Sequence, residues 1–145
     1  MIFSKPTGYA IRALVFLGEN RDDAPILNSI ISKHENIPQA FLSRVFASLV
    51  EAGIVKSTRG RNGGYTLIKE PEDIRLIDIT NINERRELFG SCLLGFGSCI
   101  CYVKCEFHSR WVQVQSQIDE YLETTSIGDV ISDRKIMHRN KMVRP

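Results

Sequence analysis

Between Pro38 and Lys69 the hydrophobic period changes once, and that change limits the folds open to this chain. From Pro38 to Gly53 the apolar residues Leu42, Val45, Phe46 and Leu49 recur at helical spacing. Proline suits the first turn of a helix and glycine its end, so a helix is predicted over 38–52 with Gly53 as its cap. Directly after it, I-V-K-S-T (54–58) and Y-T-L-I (65–68) are rich in β-branched residues and flank R-G-R-N-G-G. Strand, glycine-rich link and strand predict a β-hairpin with Asn62-Gly63 at its tip. A shorter helix is expected over about 27–35, with Ile30 and Ile31 facing inward. The turn N-I-P joins it to the next helix as a helix-turn-helix, and a hairpin behind such a pair is a wing.

The flanking segments read as helices. Residues 4–18 begin with Ser4 as a cap and Pro6 in the first turn, and Ala10, Ala13, Leu14 and Leu17 form one apolar face. A short helix over 72–83 is expected to pack under the wing. A long helix over about 106–123 carries Phe107, Trp111, Val114, Ile118 and Tyr121/Leu122, alternating steps of four and three. That spacing is close to a coiled-coil seam, so Trp111, Val114, Ile118 and Leu122 are expected at a homodimer interface. S-I-G-D-V-I follows as a short terminal element with Ser126 as its cap. The fold class expected is mainly α with a small β-hairpin: a winged helix-turn-helix domain (1–83), a cysteine-rich loop (84–105), a dimerisation helix with its terminal element (106–132), and a flexible basic tail (133–145).

Net charge is only +2, so its distribution carries the information. Residues 1–70 hold nine Lys/Arg against six Asp/Glu, residues 71–133 five against eleven, and residues 134–145 five against none. A basic end suits an anionic partner such as double-stranded DNA. The wing stretch 54–69 has no acid and carries Lys56, Arg59, Arg61 and Lys69. Phosphate contacts are expected from Lys5, Lys56, Arg59 and Arg61, and base reading from Gln39, Ser43 and Arg44, with Arg59 reaching a groove. Gln39 and Ser43 are taken to share a face opposite Leu42 and Phe46. No G-x-S-x-G, phosphate loop or H-E-x-x-H is present, and the three histidines are scattered, so an enzyme with a small-molecule substrate is not expected. Arg12 interrupts the first apolar run and no stretch has the ~20 apolar residues of a membrane span, which suggests a cytoplasmic protein.

All four cysteines of the chain, Cys92, Cys99, Cys101 and Cys105, fall with His108 inside seventeen residues. Cysteines gathered in one short loop share a task, and thiolates are soft ligands suited to zinc or iron–sulfur clusters. Gly90, Gly95 and Gly97 let the backbone wrap closely. Structural disulfides do not suit a cytoplasmic chain. Redox-active or buried free thiols remain open, as does a zinc site at Cys99, Cys101, Cys105 and His108.

Taken together, F-S-K-x-x-x-Y-A-I-R-A-L, F-L-S-R-V-F-A-S-L-V-E-A-G-I-V-K-S-T-R-G, the wing N-G-G-Y, and C-x6-C-x5-C-x2-H followed by Trp111 resemble the Rrf-two family of bacterial winged-helix transcription regulators, over about residues 1–132. The resemblance implies a homodimer on a partly palindromic operator, with long helices crossing at the interface. Its cluster-binding members hold a [2Fe–2S] or [4Fe–4S] cluster through three cysteines, which map here to Cys92, Cys99 and Cys105. The fourth ligand varies in the family. An acidic residue of the first helix maps to Gly8, which has no side chain to offer, so His108 is the implied ligand. Cys101 is additional, and Ser43 stands where the cluster regulator has an acidic residue that tunes its choice of sites. The function implied is regulation by iron–sulfur status, redox stress or nitric oxide; a thiol-controlled or partner-controlled regulator without a cluster is the other branch.

Overall fold

A computed structural model describes residues 3–84 and 105–142, with α1 (Lys5–Glu19) at the centre. The predicted stripe Ala10, Ala13, Leu14 and Leu17 is buried, and so are Val15 and Phe16, because α1 is covered by other helices on several sides. Pro6 lies in its first turn as expected. Ser4 occupies the cap position, but its hydroxyl bonds no backbone N–H of the helix and within it meets only the Thr7 hydroxyl at 3.4 Å. Its hydroxyl and its backbone N–H instead donate to Glu84 Oε1, each at 2.8 Å, and the Thr7 hydroxyl donates to the same oxygen. A distant carboxylate therefore caps α1 where a local hydroxyl is predicted.

The helix-turn-helix is α2 (Asn28–Glu35) and α3 (Gln39–Glu51). Ile31 is buried, whereas Ile30, predicted inward, is 50% exposed. One step along so short a helix turns a side chain by about 100°, and only one of the two adjacent isoleucines can face the core. Asn36 ends α2 in the left-handed conformation. Leu42, Val45, Phe46 and Leu49 of α3 are buried as predicted. Gly53 has φ +71; its N–H donates to Val50 O, and the N–H of Ile54 donates to Leu49 O. These two bonds form a Schellman motif, closed by the buried contact side of Ile54 and Leu49.

The wing is β1 (Val55–Thr58) paired antiparallel with β2 (Gly64–Leu67), with Val55 opposite Leu67 and Thr58 opposite Gly64. Its tip differs from the prediction. Gly63 N–H bonds Gly60 O, so Arg61-Asn62 occupies the turn centre within a five-residue loop. Positive φ falls on Gly60 and Gly64 rather than on Asn62 and Gly63, which a two-residue type I′ turn would require. Ile26 adds a bridge to the hairpin through paired bonds with Tyr65 of 3.0 and 2.8 Å. Tyr65 also stacks on Phe46, with ring centroids 3.8 Å apart and planes 12° from parallel, and so ties the wing to α3.

After a 3-10 turn at Pro71–Asp73, α4 (Leu76–Asn83) packs on α1, α3 and α5 (Glu106–Thr124), so the expectation that it lies under the wing is corrected. Its buried Leu76 and Ile79 point into the α-helical core. The chain then enters α6 (Ile127–Met142), which also takes in most of the segment expected as a loose tail. Ser126 caps α6 as predicted, in reciprocal bonds with Asp129. The α5–α6 corner is clasped to the domain by Leu76 N–H to Thr125 O (3.0 Å), Ile127 N–H to Ile74 O (2.8 Å) and Arg75 Nη1 to Thr124 O (2.9 Å).

Candidate nucleic-acid interface and the start of the long helix

On α3 the core side is occupied by Leu42, Val45, Phe46 and Leu49, which turns Ala40, Ser43, Arg44, Ala47 and Glu51 outward. Arg44 lies between two alanines, each about one turn away along the helix. Small neighbours let a helix sit close to a base edge and let the guanidinium lead. Ser43 is placed differently from the prediction. Its hydroxyl donates to Gln39 O at 2.9 Å and accepts from Asn28 Nδ2 at 2.7 Å, so it fastens α2 to α3. Gln39 is exposed but stands beside Phe46 on the helix wheel, at the edge of the outward face. Ala40, Ala47 and Asn28 are the residues that sequence reasoning passes over. Alanine carries no chemical signal, and the Asn28–Ser43 bond joins two elements.

Lys5, Lys56, Arg59 and Arg61 are all exposed. Among the described residues Arg12, Arg21 and Arg134 are held in ion pairs, whereas Lys5, Arg44, Lys56, Arg59 and Arg61 pair with no carboxylate. The difference follows from the acid-free stretch 54–69 and from the single acid, Glu51, on α3. Unpaired guanidinium groups on a recognition helix and a wing are free to neutralise phosphates without first breaking internal bonds.

At the other end of the domain, Cys105 is the residue before α5, half-buried and with a free thiol. His108 lies one turn further on, exposed and without a hydrogen bond or ion pair among the described residues. The two donors therefore stand three residues apart at the start of α5. Cys92, Cys99 and Cys101 lie outside the described residues, and among those described no group of three metal-type donors occurs. Along α5 the predicted seam divides. Phe107, Val114 and Tyr121 are 69%, 45% and 60% exposed, and Trp111 and Ile118 are half-buried. Leu122, assigned to the seam by spacing, is only 3% exposed and belongs to the hydrophobic core of the chain. Phe3, Val114, Gln117, Ile118 and Tyr121 line a shallow apolar groove.

A helix-turn-helix followed at once by a two-stranded wing, with unpaired guanidinium groups on both, defines a winged-helix DNA-binding protein. The chain belongs to the Rrf2 (Rrf-two) family, described as iron-dependent transcriptional regulators, which it matches over residues 3–133. It is 35% identical over 134 residues to a protein of Aquifex aeolicus that carries the general designation of HTH-type transcriptional regulator, covering 91% of this chain and 92% of that one. It is 28% identical over 129 residues to the regulator IscR of Photobacterium profundum, covering 88% and 74%. Among solved structures it is similar to CymR, the global cysteine regulator of B. subtilis, with a TM-score of 0.77, 25% identity and coverage of 90% and 95%. It is also similar to T. potens IscR, with a TM-score of 0.72, 26% identity and coverage of 90% and 86%. The protein is a DNA-binding transcriptional regulator and not an enzyme. Among the described residues no helix is long and apolar enough to cross a membrane.

Proposed function

We propose that this regulator acts as a homodimer on operator DNA and responds to iron–sulfur status, redox stress or nitric oxide through a cluster held by Cys92, Cys99, Cys105 and His108. The observation that carries the reading is the position of Cys105 immediately before α5 and of His108 in its first turn, the helix that also exposes Val114 and Tyr121. A ligand bound there acts on the element proposed to join two protomers. Three thiolates and an imidazole suit a [2Fe–2S] or [4Fe–4S] cluster, which would supply redox-sensitive iron when bound. In the chain itself, Cys105 and His108 stand at the start of α5. The clasp at Thr124–Ile127 passes the orientation of α5 to the helix-turn-helix. A change at one end of α5 therefore alters the separation of the two recognition helices, which must match about one turn of DNA, ~34 Å.

The test is purification without air, with an absorption spectrum and iron and sulfide analysis. Coloured protein is expected, with iron lost in Cys92→Ala, Cys99→Ala and Cys105→Ala and kept in Cys101→Ala. Colourless, iron-free protein that still binds its operator would refute the cluster. The likeness to CymR favours a second reading, control by thiol chemistry or a protein partner, and iron-free protein whose operator binding responds to oxidants would support it.

A further inference from the structure

A cavity of about 460 Å³ opens between the link from α1 to α2 and the wing loop. That size is within the range of small-molecule sites. Its apolar side is Phe16, Ile26, Leu27 and Ile30, and the last two are 41% and 50% exposed although large and aliphatic. Its polar side carries one acid, Asp23, on the link and one guanidinium, Arg61, at the centre of the wing turn. Neither makes an ion pair among the described residues, with each other or with anything else. Two opposite charges thus line one largely apolar cavity without pairing.

The amides beside them are placed to help. Asn20 spends its Nδ2 on Phe16 O at 2.8 Å, which leaves its Oδ1 as an acceptor in the cavity lining. The Asn62 side chain makes no hydrogen bond among the described residues and stands next to Arg61. The walls are held in register. Ile26 and Tyr65 exchange two backbone bonds, and Gly63 and Gly64 pack so closely on Thr58 and Ile26 that a Cβ at either would collide with backbone. The site is therefore largely formed before anything enters it.

We infer that this cavity binds a free α-amino acid with an apolar side chain, its ammonium on Asp23 and Asn20, its carboxylate on Arg61 and Asn62, and its side chain on Leu27 and Ile30. A carboxylate is a geometric match for a guanidinium fork, and a zwitterion satisfies both walls at once where an amine or an acid satisfies one. Occupancy engages Arg61, one of the unpaired wing cations expected to contact DNA phosphate, so the ligand weakens operator binding. That second step rests on the wing reading; the binding step does not.

The experiment is calorimetric titration of the whole protein with L-phenylalanine and L-leucine, with hydrocinnamate and phenethylamine as controls lacking one charge each. Saturable binding of the amino acids is expected, at least about tenfold weaker for either control and for Asp23→Asn. Operator titration is then repeated with the ligand. Operator affinity should fall in the parent, be unchanged without ligand in Asp23→Asn, and respond little to ligand in that variant. Saturating operator should weaken ligand binding by the same factor. No saturable binding, or equal binding by Asp23→Asn, overturns the site. Binding that leaves operator affinity unaltered overturns the regulatory step; if Arg61→Ala also leaves operator affinity unaltered without ligand, the fault is in the wing reading.

Discussion

Glu35 is 4% exposed at the end of α2, and converting it to glutamine tests what its charge holds together. Arg12 Nε of α1 reaches Oε2 at 3.1 Å, Arg134 Nη2 of α6 reaches Oε1 at 3.0 Å, and His34 Nδ1 stands 3.1 Å from Oε1. Arg134 also approaches Glu19 at 3.6 Å. One carboxylate thus ties three helices. Removing one partner of a buried ion pair costs ~3–5 kcal/mol when the other charge stays buried. Here the side chains of Arg12 and Arg134 are 44% and 28% exposed, so both guanidiniums recover water, and the glutamine oxygen still accepts one bond. The expected loss for Glu35→Gln is therefore nearer ~2 kcal/mol, a fall of roughly 5–8 °C in Tm for a chain of this size. Burial pushes the carboxyl pKa up, but the bonds from Arg134 and Arg12 outweigh it and hold the group below its ordinary 4.5. A depressed carboxyl stabilises the fold above the unfolded value and loses that contribution as pH falls through the folded value. The gap between parent and variant should be full at pH 7 and shrink below about pH 4.5. Thermal unfolding followed by circular dichroism across that range reads both effects. A Tm within about 2 °C of the parent, or a gap that does not shrink on acidification, refutes the reasoning.

Gly64 has φ +143 and packs against the backbone of Ile26, so Gly64→Ala should cost ~2–3 kcal/mol and loosen the wing, read as a lower urea midpoint. Val114→Lys, on an exposed position of α5, should give well-folded monomers by light scattering; an intact dimer would move the interface elsewhere. Arg59→Ala should flatten the log–log salt dependence of operator binding by about one unit if the contact is to phosphate, or cost ~1–3 kcal/mol at one base pair if it is to a base. Unchanged binding at every salt concentration would remove the wing from the interface.

Local pattern makes α1, α3 and the hairpin legible in the amino-acid sequence. Pro38, Gly53 and the buried face between them act within one helix, and the Schellman bonds of Gly53 involve neighbours only. The misreadings sit where a distant residue decides. Ser4 is the obvious local cap, but Glu84 reaches it from the far side of α4 and takes its hydroxyl. The wing turn is shifted by one residue because Gly64, packed on Ile26, takes the positive φ. Leu122 obeys the seam spacing but is drawn into the core by the corner at Thr125–Ile127. Glu35 and Arg134 are 99 positions apart, and no periodicity relates them. The unpaired cations of the wing are legible for the opposite reason: an acid-free stretch leaves them nothing nearby to pair with.

Glu84 is also a mechanical part. It is the last residue before the segment that carries Cys92, Cys99 and Cys101, and its carboxylate holds the first turn of α1 by Ser4 and Thr7. Lys5 stands in that same turn. Segment, carboxylate and turn are coupled in series, like links of a chain under tension. A pull on the chain just past Glu84 reaches the end of α1 through one side chain, before any rigid helix has to swing. Losing those bonds frees the Ser4 N–H and the hydroxyls of Ser4 and Thr7, and the turn that carries Lys5 frays first.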